Sequence, residues 1–127
     1  ANGVYVMKRI LIVESDMDYA IKTGIYWGRK GFAPTFAFSI REAMAEIRSQ
    51  KPELILVNQR LRDGCGIEFL KRMRSSGYNV PTVIRVEIED GIVNEYNLVD
   101  KNGRFYNKRF SGDEITEKLN NILQLVG

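Results

Sequence analysis

Three short apolar runs constrain this fold more than any other feature: "RILIV" at 9–13, "ELILVN" at 53–58 and "VPTVIRV" at 80–86. Apolar residues follow one another there without alternation, the pattern of a parallel strand covered on both faces. Pro81 cannot donate to a ladder, so it fits only where its strand begins. "PTFAF" (34–38) and "GRFYN" (103–107) read as two weaker strands. Helical patterns fill the gaps. Asp16 or Asp18 can cap a first helix, predicted to bury Ile21 and Ile25 and to end near Gly31. Ser39 with Glu42 forms a capping box ahead of the stripe Ile40, Ala43, Met44 and Ile47. Residues 66–76 and 89–101 supply two more helices. Ser111 with Glu114 opens the last, with Ile115, Leu119, Ile122 and Val126 as its stripe.

Strand then helix, five times with short connections, predicts an α/β fold with helices on both faces of a parallel sheet. Ligands of such sheets gather beyond the carboxyl ends of the strands. Glu14, Ser15, Asn58, Val86, Glu87 and Lys108 therefore become the positions at which function is read. The 127 residues suit one domain, 7–127, with 1–6 read as an expression remnant or N-terminal extension. With no histidine and the single cysteine Cys65, a zinc site, a His-based triad or an internal disulfide is not expected. A reducing cytoplasm follows as the expected compartment. No apolar run approaches the ~20 residues that cross a bilayer. A net charge of +3, with "KRMR" at 71–74 as its densest basic cluster, predicts a solvated helix face and no direct nucleic-acid binding.

Set in order, the motifs resemble the receiver domain of two-component response regulators over about residues 7–125. "KRILIVESD" resembles its first strand and acidic cluster, and "GFAPTFAFSIREAMAEI" its second strand and helix. "KPELILVNQRLRDGCGIEFLKRMR" resembles the third strand, its glycine-bearing loop and the third helix. "VPTVIRV" and "GRFYNKRF" resemble the fourth strand and the fifth with its lysine. The resemblance implies a flavodoxin-like (CheY-like), doubly wound (βα)5 sandwich with a five-stranded parallel sheet in the order 2-1-3-4-5. It also implies a chemistry in which a strand-end aspartate accepts a phosphoryl group with Mg²⁺ bound beside it. The acidic pair then falls on Glu14 and Ser15, the phosphoacceptor on Asn58, the hydroxyl on Val86, the lysine on Lys108 and the switch aromatic on Phe105. Arg62 and Arg109 stand where the family usually has proline.

Physical chemistry limits what these residues can do. An amide is not a competent nucleophile at neutral pH. Mg²⁺ needs hard anionic oxygens, and only Glu14 of the vestigial set Glu14, Ser15 and Asn58 is an acid. Val86 has no hydroxyl. The expectation is a pseudo-receiver, with no metal, no cofactor and no enzymatic activity, that signals by binding a protein or by dimerising. Two alternatives stand beside it: a small-molecule sensor using the vacated pocket, and an active receiver carrying an engineered Asp-to-Asn change at Asn58. Lys108 is expected to pair with Glu14, while Asn58 accepts from Lys108 and donates to Glu14. Arg85, in a strand that should be buried, requires an acid such as Glu14, Glu87 or Glu89, or else snorkels past the strand end. Glu87, Glu89 and Asp90 read as an acidic helix start, and Cys65 as a loop thiol.

The resemblance places partner contacts on the face of helix 4, strand 5 and helix 5, presenting Tyr96, Asp100, Lys101, Arg104, Tyr106 and Lys118. A histidine kinase, an output domain such as a transcription factor's, or a second copy of the chain are the partners it implies.

Overall fold

The computed structural model describes residues 7–88 and 93–123. A six-stranded sheet has the order β2-β1-β3-β6-β7-β8. Its first four strands are parallel: β1 (Lys8–Val13), β2 (Phe32–Ala37), β3 (Leu54–Asn58) and β6 (Thr82–Ile88). A small hairpin of β4 (Arg60–Leu61) and β5 (Gly64–Cys65) follows β3. The helices are α1 (Met17–Arg29), α2 (Ile40–Ser49), α3 (Gly66–Ser75) and α4 (Gly112–Leu123). Pro81 immediately precedes its strand, where its missing N–H costs nothing.

Strand periodicity divides the core into two layers. Leu11, Val13, Ile55, Val57 and Ile84 point to one face, against α2 and α3. Ile10, Ile12, Leu54, Leu56 and Val83 point to the other, against Trp27 of α1 and Ile115 and Leu119 of α4. Both capping serines cap their helices as read, and at Ser111 the box is reciprocal, its N–H donating to Glu114. Ser39 Oγ accepts from the N–H of Glu42 at 3.1 Å, and Ser111 Oγ from that of Glu114 at 3.3 Å. Asp16, not Asp18, caps α1 by accepting from the N–H of Tyr19.

Two expectations are corrected. Where a helix was expected over 89–101, residues 89–92 lie outside the described residues and the rest holds β7 (Val93–Val99), antiparallel to β6. The last strand, β8 (Phe105–Phe110), pairs with β7, so the sheet is mixed and its fifth position belongs to β7. The reason is local chemistry. In "VNEYNLV" the β-branched Val93 and Val99 and the aromatic Tyr96 favour a strand, while Asn94 and Asn97 are weak helix formers. The turn "DKNG" then closes a hairpin. Asp100 Oδ1 accepts from the N–H groups of Asn102 and Arg104, both at 2.9 Å, and Gly103 takes φ 83°. The second correction concerns α1, where Ile21 and Ile25 are 50% and 52% exposed. Its inward stripe is Ala20, Gly24 and Trp27. Helix and sheet approach so closely that a Cβ on Gly24 would lie 2.5 Å from Phe36 Cζ. Gly24 therefore leaves room for Phe36, while Trp27 packs edge-on against Phe32 of the same strand. The burial of Ile122 and Val126, and all of residues 1–6, fall outside the described residues.

Truncating Leu119, wholly buried on α4, should cost ~2–5 kcal/mol. Replacing Ile21 by Ser should change stability by no more than ~0.5 kcal/mol. Urea denaturation of the two variants checks the rotation of α1.

Candidate functional site

Three strands deliver polar residues to one face at their carboxyl ends. Counting by twos, Ile10 and Ile12 lead to Glu14, Leu54 and Leu56 lead to Asn58, and Val83 leads to Arg85. The parallel register sets Asn58 beside Arg85. All three are buried, with Glu14 and Arg85 each 4% exposed and Asn58 8% exposed. Charges this deep persist only when paired and hydrogen-bonded.

These groups satisfy one another. The Glu14 Oε1 atom accepts from Arg85 Nη2 at 2.5 Å and from Asn58 Nδ2 at 3.0 Å. Its other oxygen accepts from Asn58 Nδ2 and from the N–H of Asp16 at the start of α1. Arg85 Nη1 donates to Glu87 at 2.8 Å and to Asn94 of β7 at 3.0 Å. The guanidinium lies 3.8 Å from the ring centroid of Tyr19, a stacked cation–π contact. Burial works against the Arg85 charge, but hydrogen bonds to Glu14 and Glu87 outweigh it and raise its pKa above the usual arginine value. Arg85 thus takes Glu14 and Glu87 from the acids open to it and does not snorkel away. Glu89 and Asp90 lie outside the described residues.

Other expected site residues sit elsewhere. Ser15 has the opposite strand parity from Glu14. Its hydroxyl donates to the carbonyl of Phe38 and accepts from the N–H of Arg62, tying three loops together. Val86 likewise points away, packing on the core layer of α2 and α3. Lys108 is not in the pocket: it forms an exposed pair with Glu114 at 2.7 Å. The cause is β7, which lies between β6 and β8 and so moves β8 one further strand spacing, about 5 Å, from β6. Asn58 therefore donates to Glu14 as expected, but its Oδ1 accepts from the N–H of Arg60, not from Lys108. Phe105 is 48% exposed near the start of the edge strand β8. Cys65 precedes α3 without capping it. Asp63, which sequence reasoning passed over, accepts from the N–H groups of Ile40 and Arg41 at the start of α2. Burial opposes its charge, yet those backbone hydrogen bonds lower its pKa.

The Mg²⁺ that the resemblance implied does not fit these residues. Among the described residues Glu14 is the one carboxylate bonded to the Asn58 side chain, and both of its oxygens are engaged by Arg85, Asn58 and the Asp16 N–H. Ser15 is turned away. Among the described residues no three His, Cys, Asp or Glu side chains are grouped to share a metal.

The expected partner face is also rebuilt. Tyr96 lies on β7 and is half-buried against the α1–α4 layer, where burial pushes its phenol up to about 12. Asp100 is occupied by its own turn. Tyr106 lies between Arg104 and Lys118, at 5.7 Å and 5.2 Å from its ring centroid. Lys101 is exposed on the turn.

No protein-family model matches the chain. Over 118 residues, 91% of the chain, it is 30% identical to "Probable transcriptional regulatory protein y4xI" of Sinorhizobium fredii, of which it spans 50%. A two-component response regulator from Clostridium difficile superposes with a TM-score of 0.68 at 23% identity, over 94% of this chain and 98% of that one. The signal receiver domain of a LuxO repressor protein from Vibrio parahaemolyticus gives 0.60 at 23% identity, over 68% of each chain. The fold is that of a response regulator receiver domain. Within the receiver fold, Asn58, Glu14 and Arg85 occupy the carboxyl edge of the sheet, and the parallel core 2-1-3 stands as the resemblance implied. No helix among the described residues is long and apolar enough to cross a membrane.

Replacing Arg85 by Met strands a buried carboxylate and should cost ~3–5 kcal/mol, while adding Glu14→Gln to the same variant should recover part of the loss. A double-mutant cycle by urea denaturation measures both. Tyr96 should titrate near 12, against about 10 unfolded. Its folded pKa is raised, so the stability it contributes is complete below pH 10 and is lost as pH climbs from about 10 towards 12. Absorbance at 295 nm, compared with a Tyr96→Phe variant, tests this.

Proposed function

We propose that this chain is a receiver-like signalling domain that works without phosphorylation, a pseudo-receiver whose output is contact with a protein partner. The observation that carries the reading is the Glu14–Arg85 pair at 2.5 Å with Asn58 bonded to the same carboxylate. A phosphoryl-accepting site needs a carboxylate nucleophile and carboxylates free to hold a metal. Here the nucleophile's position carries an amide, and the one acid is neutralised from within by an arginine. The lysine that would meet phosphoryl oxygens is on the surface with Glu114. The domain has one electrostatic state, held by internal hydrogen bonds. In this reading it is not an enzyme and requires no cofactor.

The same pair argues against an active receiver altered at Asn58 alone. Restoring an aspartate there would leave Arg85 on Glu14 and Ser15 turned to Phe38. The similarity to a transcriptional regulatory protein supports a role in cytoplasmic transcription control, with an output domain, a kinase or a second copy as partner. The surface proposed for that contact is the one around Lys101, Arg104, Tyr106 and Lys118, a mix of cations and an aromatic suited to protein recognition.

Incubation with acetyl phosphate and Mg²⁺, or with beryllofluoride, should give no mass increase and no shift of backbone resonances. Asn58→Asp alone should stay unlabelled as well. An aspartyl-phosphate mass shift in the wild-type chain would sink the proposal, and labelling of Asn58→Asp alone would favour the singly altered receiver.

A further inference from the structure

Between α1, the sheet and α4 lies a cavity of about 320 Å³, at the lower end of the ~300–1,000 Å³ typical of small-molecule sites. It opens to solvent between the two helices, where Lys22, Tyr26 and Asp113 are exposed, and runs inward to the buried strand-end residues Glu14 and Arg85. Its origin is visible in the sequence of the two helices. The first presents Thr23 to the cavity and the small residues Ala20 and Gly24 inward, and the second begins at Gly112, where a Cβ would meet nothing within 4 Å. The space left between them is walled by four aromatic side chains, Tyr19, Tyr26, Trp27 and Tyr96, over a floor that includes Leu56 and Ile115.

The polar groups of the cavity define what it can hold. At the inner end stand Glu14, Asn58 and Arg85, whose charges are already committed to each other and to Glu87. Lys22 and Asp113, one from each helix, are exposed and of opposite sign, so their water-screened charges add no net charge to the lining. A charged group carried to the inner end would be desolvated there without a free counter-charge, which is costly. The tyrosine hydroxyls keep hydrogen-bonding capacity, since each can both donate and accept. Tyr19 Oη meets Asn94 Nδ2, and Tyr26 Oη meets Thr116 Oγ1, both at 3.3 Å. Aromatic walls favour a flat π-face, met edge-on or in offset stacking.

We infer that the α1–α4 cavity is a binding site for a neutral, planar molecule of one or two aromatic rings bearing a hydroxyl or carbonyl at its edge. Such a ligand would lie beside Tyr19, whose ring stacks on Arg85, and so would touch the network that replaces the phosphoacceptor chemistry. The inference rests on the cavity and not on the absence of phosphorylation.

Trp27 is the single tryptophan of the chain, so its indole N–H resonance reports on the cavity alone. Titration with 2-naphthol should shift that resonance saturably, with 2-naphthoate binding about tenfold more weakly or worse. Filling the cavity by Gly112→Leu should weaken 2-naphthol about tenfold while the rest of the spectrum stays folded. Thr23→Leu, from the opposite wall, serves the same purpose should the first variant not fold. No saturable shift of Trp27, equal binding of the naphthoate, or unchanged binding in a folded cavity-filled variant would each overturn the proposal.

Discussion

A guanidinium and a carboxylate, both almost wholly removed from water, hold the functional edge of this domain together. Arg85 and Glu14 come from strands separated by β3, and the residue between them, Asn58, bonds to the same acid. Neither charge is tolerable alone at that depth. Their mutual satisfaction therefore fixes the relative placement of β1, β3 and β6. Through Asp16 it fixes the start of α1, and through Asn94 it reaches β7. Tyr19 completes the shell by covering the guanidinium.

In a phosphorylatable receiver the same edge has to be electrostatically incomplete, with clustered acids awaiting a cation and a nucleophile awaiting phosphorus. Here the cation is a side chain. A guanidinium stays charged at any physiological pH and cannot dissociate from the protein. The edge is a structural joint held by that pair. The β7 strand reinforces the contrast, because it displaces β8 and its lysine outward and brings Tyr96 and Asn94 in to face α1. The cavity beside the joint is where the domain keeps accessible, chemically varied surface.

Much of this could be read along the chain. Unbroken apolar runs mark strands covered on both faces, and the capping boxes at Ser39 and Ser111 start helices where they should. Asn58 and Glu14 were identifiable as strand-end residues, and Arg85 as a charge in need of an acid. Further signals were present in the letters. Counting by twos from Ile84 puts Val86 on the wrong face for a pocket with Glu14, and the same count removes Ser15. The Asn-Gly pair at 102–103 after "VNEYNLV" announces a hairpin. These cues were outweighed by the expectation that the fourth strand, like the three before it, is followed by a helix, a case of alternation overriding local propensity. The outward turn of Ile21 and Ile25 had no such cue, because periodicity alone does not say which of two apolar stripes a helix buries.

The sequence by itself determined the α/β class, the parallel strands of the first half and the amide at the end of β3, since strand burial and side-chain chemistry are properties of the residues. Only the tertiary structure decided that Arg85, not Lys108, neutralises Glu14, and that a cavity opens between α1 and α4. The physical reason is that pairing and packing depend on which strands are neighbours and how closely helices approach. A single inserted strand moved one cation away by a strand's width and left the other within hydrogen-bonding distance of the acid.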